Sequence, residues 1–127
     1  MSYFFKTLIF RSRARSSMRR FQGSPFRGVL YDKPLDIELK QLCTKIGDIE
    51  LELIQPGEEE SPWKDFLDSK GEGIQHLGFK VDDLKDVIAK LVKQGASVFV
   101  TGKARGRLQA AYVDLGVGDI IVELMEF

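Results

Sequence analysis

Between Ile74 and Glu126 the spacing of apolar positions passes from strand-like to helical and back, which predicts the order β-α-β-β-β. Ile74–Val81 has strand character, and Asp82-Asp83 supplies side-chain oxygens for the free amides of a starting helix. Leu84, Val87, Ile88, Leu91 and Val92 recur at helical spacing on one face, and Gly95 is placed as the left-handed stop. Strands follow at about Ser97–Thr101, Leu108–Asp114 and Asp119–Glu126. They are separated by the glycine-rich turns Gly102–Gly106 and Gly116–Gly118.

The first half carries the same pattern. Residues 47–55 (GDIELELIQ) and 118–126 (GDIIVELME) are near copies at an offset of 71 residues, which sets Glu52 opposite Glu123. Applied backwards, the offset predicts a strand at Tyr3–Phe10, a helix at Ser12–Phe21 ending near Gly23, and strands near Arg27–Tyr31, Asp36–Thr44 and Asp48–Gln55. The aromatic and β-branched content of Tyr3–Phe10 supports its strand independently, whereas Arg11–Arg20 has little apolar face. The expected fold is α+β, two βαβββ modules forming one cupped mixed sheet. Module one covers about 1–56, a linker 57–72, and module two 73–127. In the linker Ser61 can cap a short helix with Pro62 in its first turn, and Trp63, Phe66 and Leu67 pack inward.

Alternation then sorts the carboxylates. Ile49, Leu51 and Leu53 share one face of their strand while Glu50 and Glu52 share the other. Ile120, Val122 and Leu124 share a face of the last strand, with Glu123 opposite. An apolar face for a helix and a carboxylate face for something else suits a cupped sheet around a polar cleft. Glutamates facing solvent on a half-exposed sheet are the alternative. The in-register repetition in two strands favours the cleft.

Composition narrows the function classes. A chain of 127 residues, 43% hydrophobic and 30% charged, fits one globular domain, and no apolar run approaches a bilayer span. The formal net charge is zero, but residues 1–20 hold six basic residues and no acidic one, leaving the remainder at net −6. An acidic body argues against nucleic acid as the partner. The Arg- and Ser-rich start resembles a mitochondrial transit peptide; otherwise it folds as the first strand and helix of a cytoplasmic protein. The single cysteine, Cys43, excludes an internal disulfide and reads as a small core residue. The basic residues Lys103, Arg105 and Arg107 read as a solvated loop.

The only histidine, His76, stands at the head of its strand. Imidazole with Glu52 and Glu123 makes a donor set suited to Mg²⁺, Mn²⁺, Co²⁺, Ni²⁺, Fe²⁺ or Zn²⁺. Three strand-borne ligands leave positions open for water and a substrate oxygen. A carboxylate pair without a cation repels itself, which favours a metal enzyme over an empty cleft.

The run IELELIQPGEEESPWKDFLDSKGEGIQHLGFKVDDL, with Asp119–Glu126, resembles the vicinal oxygen chelate superfamily. That superfamily includes glyoxalase I, bleomycin-resistance proteins, extradiol dioxygenases and methylmalonyl-CoA epimerase, and the likeness is nearest to the epimerase-like branch. It covers roughly residues 21–127, and GSPFR at Gly23–Arg27 resembles the turn after that branch's first helix. The resemblance implies a divalent metal on Glu52, His76 and Glu123. A further histidine is expected on the first strand, where the repeat sets Phe5 opposite His76.

The implied activity is a metal-dependent isomerase or epimerase acting through an enolate on an acyl-CoA such as methylmalonyl-CoA. Glu123 is the first candidate base and Glu52 or Glu50 the second, while Lys103, Arg105 and Arg107 would meet CoA phosphates. One alternative is a glyoxalase I-type lactoylglutathione lyase acting on a thiol adduct. The other is a bleomycin-resistance-like binding protein with a degraded metal site, which Phe5 at the vacant ligand position favours. The resemblance also implies a homodimer, because each module has an open sheet edge.

Overall fold

Strand alternation decides which side chains the sheet turns inward, and here the sheet curls until its edges meet. A computed structural model of the chain describes residues 4–9 and 22–127, with side chains described at 26–44 and 47–127. Among these residues the order is β1 (Phe4–Ile9), β2 (Gln22–Leu30), β3 (Lys33–Ile46), β4 (Ile49–Pro56), α1 (Pro62–Lys70), β5 (Gly73–Lys80), α2 (Leu84–Lys93), β6 (Ser97–Ala104), β7 (Arg107–Asp114) and β8 (Ile121–Met125). The predicted helix at Ser12–Phe21 falls outside the described residues.

Hydrogen-bonded neighbours run β1-β4-β3-β2-β6-β7-β8-β5 and return to β1, so the two modules close a ring. β1 is parallel to β4 and antiparallel to β5, and β5 is parallel to β8, which makes the sheet mixed. The modules meet at two joints. One is the β1–β5 pairing from Phe4↔Phe79 to Ile9↔Gly73. The other is short, with only Val29↔Thr101 and Leu30↔Val100 in register, extended by the Tyr31 N–H donating to the Phe99 carbonyl at 3.0 Å. The open edges expected of the modules are those of β2 and β6, and they meet at this short joint. Gly28 permits the approach. A Cβ there would lie 2.5 Å from the Thr101 carbonyl oxygen.

Two apolar layers result. α2 covers the outside of module two, where Leu84 meets Ala111, Val113, Val122 and Leu124. Its start is fixed twice: Asp83 accepts from the Asp86 amide at 3.0 Å, and Glu126 Oε2 accepts from the Leu84 amide at 2.9 Å. The inside of the ring is filled at one end by α1. Ser61 caps this helix by accepting from the Lys64 amide at 3.1 Å. Trp63 and Leu67 then reach Leu35, Ile37, Leu39, Ile54, Phe99 and Tyr112. Trp63 packs edge-on against Phe26 and Tyr112, at 5.0 and 5.7 Å between ring centroids. Truncating so large a buried side chain to alanine costs about 3–5 kcal/mol. No helix among the described residues is long and apolar enough to cross a membrane.

Several sequence expectations change. GSPFR is not a turn but part of β2; Pro25 is tolerated because its strand pairs only with β3 at that level, so no ladder donor is lost. β6 runs on through Gly102 to Ala104, and the turn is Arg105-Gly106, both at positive φ. β8 begins at Ile121, because Gly118 and Asp119 are both left-handed, and Ile120 is exposed rather than in the apolar layer. Val92 is likewise exposed, at the rim of the α2 face. Cys43 is exposed, not a core residue. It shares the inner face of β3 with Leu35, Ile37 and Leu39 but lies nearer the mouth, beyond the reach of α1.

Candidate functional site

Register determines which side chains meet inside the cup. Thr7 of β1 pairs with Glu52 on one side and His76 on the other, and Gly78 pairs with Glu123. Thr7 and Gly78 are themselves 71 residues apart, so the backbone keeps the repeat seen in the sequence. The outcome is that Glu52, His76 and Glu123 each offer a ligand atom within 4.8 Å of the other two. His76 is 1% exposed, and its Nε2 lies 3.2 Å from Glu123 Oε2. Its Nδ1 lies 3.0 Å from Oε1 of Gln75, whose Nε2 donates to the Pro62 carbonyl at 3.1 Å.

The chemistry of this set fits a divalent cation. Two carboxylates and one imidazole are hard-to-borderline donors, and their two potential negative charges on a half-enclosed face need compensation. Glu50, the further candidate base, lies on the same face two residues along β4 and does not join the three donors. Phe5 pairs through its backbone with Glu50 and Gly78, in the register expected of the first strand; its side chain lies outside those described. Lys103 and Arg107 do not reach the donors. They line a groove beside α2 with Lys85, Asp82, Asp83 and Glu126, so its charge is mixed, and Arg107 Nη2 sits 3.6 Å from Glu126 Oε1.

Three residues near the site escaped the sequence reading. Gln75 holds the imidazole. Cys43 and Tyr112 are the cross-strand partners of Glu52 and Glu123, respectively, so each glutamate stands beside a weak acid. The two partners are 69 residues apart rather than 71, because β3 and β4 join through two residues whereas Leu115 and Ile120 enclose four. A hairpin-register count would have found them. Burial, then the charges of Glu52 and Glu50 and a hydrogen bond to Glu50, push the Cys43 thiol up to about 11. Burial, then Glu123 and Glu52, raise the Tyr112 hydroxyl well above the ordinary phenol range. The Trp63 indole N–H opposes that rise only weakly. It approaches the hydroxyl without meeting hydrogen-bond geometry, and its Nε1 is buried with no partner. The Tyr112 ring also stands edge-on to the imidazole, 4.8 Å between centroids.

The chain is 31% identical over 83 residues to YqjC of Bacillus subtilis (strain 168), described as an uncharacterized protein; the match takes in 63% of this chain and spans 59% of that protein's length. Among solved structures it is similar to methylmalonyl-CoA epimerase from Mycobacterium tuberculosis, with a TM-score of 0.64 at 20% identity over 96% of this chain and 85% of the other. It is similar too to the hypothetical protein BH1468 from Bacillus halodurans C-125, with a TM-score of 0.61 at 21% identity over 97% and 91%. A Streptomyces coelicolor methylmalonyl-CoA epimerase variant in complex with 2-nitronate-propionyl-CoA gives 0.58 at 16% identity over 96% and 91%. At such identities these structures speak for the fold alone. The family model described as Glyoxalase/Bleomycin resistance protein/Dioxygenase superfamily matches residues 11–113. That match takes in most of both modules, and the chain belongs to this superfamily.

Proposed function

We propose that the chain is a divalent-metal-dependent isomerase, an epimerase acting through an enolate on a 2-substituted acyl-CoA such as methylmalonyl-CoA. Glu52, His76 and Glu123 are its metal donors. The observation that carries this reading is the convergence of three donor atoms, drawn from both modules, within 4.8 Å. The likeness of the sequence to the epimerase-like branch motivates the substrate class, and the epimerases among the fold neighbours are in keeping with it. A bound divalent ion supplies positive charge against which an enolate oxygen is stabilised.

The chain's own residues supply the rest. His76, buried and hydrogen-bonded to Gln75, is a fixed nitrogen donor. Glu123, with a side chain 15% exposed, is the first candidate base for the substrate's α-proton, and it would have to leave the metal to serve, because a coordinated carboxylate is a weak base. Glu50 lies outside the donor set and stays available to move a proton on the other side of that carbon, as epimerisation requires. α1 closes one end of the cup and keeps water from that side. The homodimer in this reading rests on the superfamily likeness alone, since the module edges β2 and β6 pair with each other within one chain.

One observation favours a second reading, a binding protein without turnover: the module-one position matching His76 is Phe5. Metal analysis of the purified protein, with assays on methylmalonyl-CoA and on a hemithioacetal, separates the readings. Bound metal with epimerase activity supports the first. Metal with lyase activity moves the substrate to the glyoxalase type, and neither metal nor turnover leaves the binding protein. Phe5→His should tighten metal binding by restoring a donor, and equal affinity in both forms would remove Phe5 from the ligand position.

A further inference from the structure

The hydrogen bonds around Gln75 have only one consistent direction. The Pro62 carbonyl can only accept, so the group 3.1 Å from it must be the Gln75 NH₂. The amide oxygen therefore faces His76 Nδ1, at 3.0 Å in a buried setting. Rotating the amide would bring its oxygen against the Pro62 carbonyl and its NH₂ against the imidazole, losing one buried bond outright. An oxygen fixed in this way needs a proton on Nδ1. The other ring nitrogen, Nε2, then faces Glu123 Oε2 at 3.2 Å and the three-donor cluster, where a second proton or a cation has to stand between the two acceptors.

We infer that Gln75, locked by the backbone of the first turn of α1, is a positioning residue that keeps the proton of His76 on Nδ1 and reserves Nε2 for a cation. This rests on the metal-site reading above and deepens it. Gln75 stands beside His76 on β5, and its orientation is fixed by the Pro62 carbonyl of the linker between the modules. A competing arrangement exists within the same side chains. Were the proton of a neutral imidazole on Nε2, it would donate to Glu123, and the site would become a closed His–Glu pair with no nitrogen for a metal. Gln75 opposes that arrangement because it would leave its own oxygen facing a bare Nδ1.

The chain has a single histidine, so ¹⁵N-histidine labelling reports one imidazole. In the metal-free protein Nδ1 should carry a proton. With Zn²⁺ added, Nε2 should show the metal-bound shift while the Nδ1 proton persists. Gln75→Leu should move the neutral ring to the Nε2–H form and weaken Zn²⁺ binding, read by calorimetry, on the order of 10- to 100-fold. Gln75→Glu should recover only part of that loss, since one carboxyl oxygen again accepts from Nδ1 while the other faces the Pro62 carbonyl and bonds it only when protonated; a melt of each variant checks that it folds. The inference is overturned if Nδ1 lacks a proton in the parent protein, or if Gln75→Leu keeps both the parent's proton position and its affinity. If the parent binds no cation, the metal-site reading fails. The metal-free spectra of parent and Gln75→Leu then decide the inference alone: a proton held on Nδ1 only in the parent supports it, and the same state in both overturns it.

Discussion

Gly28 gives a sharp test of the ring closure because two physical effects of opposite sign meet there. Replacing a strand glycine by alanine ordinarily stabilises by about 0.4–1 kcal/mol, through the narrower freedom of the unfolded chain. At Gly28 the new Cβ would sit 2.5 Å from the Thr101 carbonyl oxygen and 2.9 Å from Cε1 of Phe26. The carbonyl belongs to β6 and cannot swing away, and the Phe26 ring is pinned edge-on against Trp63. Overpacking of this kind costs about 1–3 kcal/mol. The expected net change for Gly28→Ala is thus a destabilisation of roughly 0.5–2 kcal/mol. The strain has one easy outlet, parting β2 from β6, since only two residue pairs and the Tyr31–Phe99 hydrogen bond hold them. Urea unfolding measures the net change, and amide exchange of Tyr31, whose N–H makes that bond, should accelerate in the variant. A higher urea midpoint for Gly28→Ala, with Tyr31 as protected as in the parent, would refute the closed ring.

Other expectations are simpler to check. Glu52→Gln should abolish most of the stabilisation by Mn²⁺, which for the parent protein at 100 times the dissociation constant is about 2.7 kcal/mol; equal thermal shifts in both would remove Glu52 from the donor set. The Cys43 thiol, raised from 9.0 to about 11, holds its proton through the mildly alkaline range, so metal-free protein should alkylate about 100-fold more slowly than an ordinary thiol near pH 8 and approach normal rates only as pH rises toward 11. Normal rates at pH 8 would contradict the carboxylate environment. Light scattering at micromolar concentration should find a dimer, and monomer alone would count against it.

What could be read from the sequence was what local spacing and repetition encode. Both helix caps in the linker and module two, the apolar face of α2 except Val92, and the meeting of Glu52, His76 and Glu123 all follow from period and offset. Where the two modules differ in loop length the offset misleads, and Cys43 and Tyr112 were missed for that reason. Pro25 and Gly23 look like turn residues because their compatibility with β2 depends on which neighbours that strand has, a tertiary fact. The role of Gln75 depends on α1 folding back to present the Pro62 carbonyl. Gln75 and Pro62 lie 13 residues apart, and no periodic spacing announces that they meet.

α1 has a consequence for the symmetry of the cup. Two similar modules related by an antiparallel β1–β5 pair, taken alone, would have a cup whose two ends are interchangeable. The linker occurs once in the chain, and it fills one of those ends with Trp63 and Leu67. A duplicated scaffold is thereby made one-sided. The side chains of α1 pack at one end of the cup and have no counterpart from a second linker at the other. A connecting segment outside both repeats thus breaks the equivalence of the two ends.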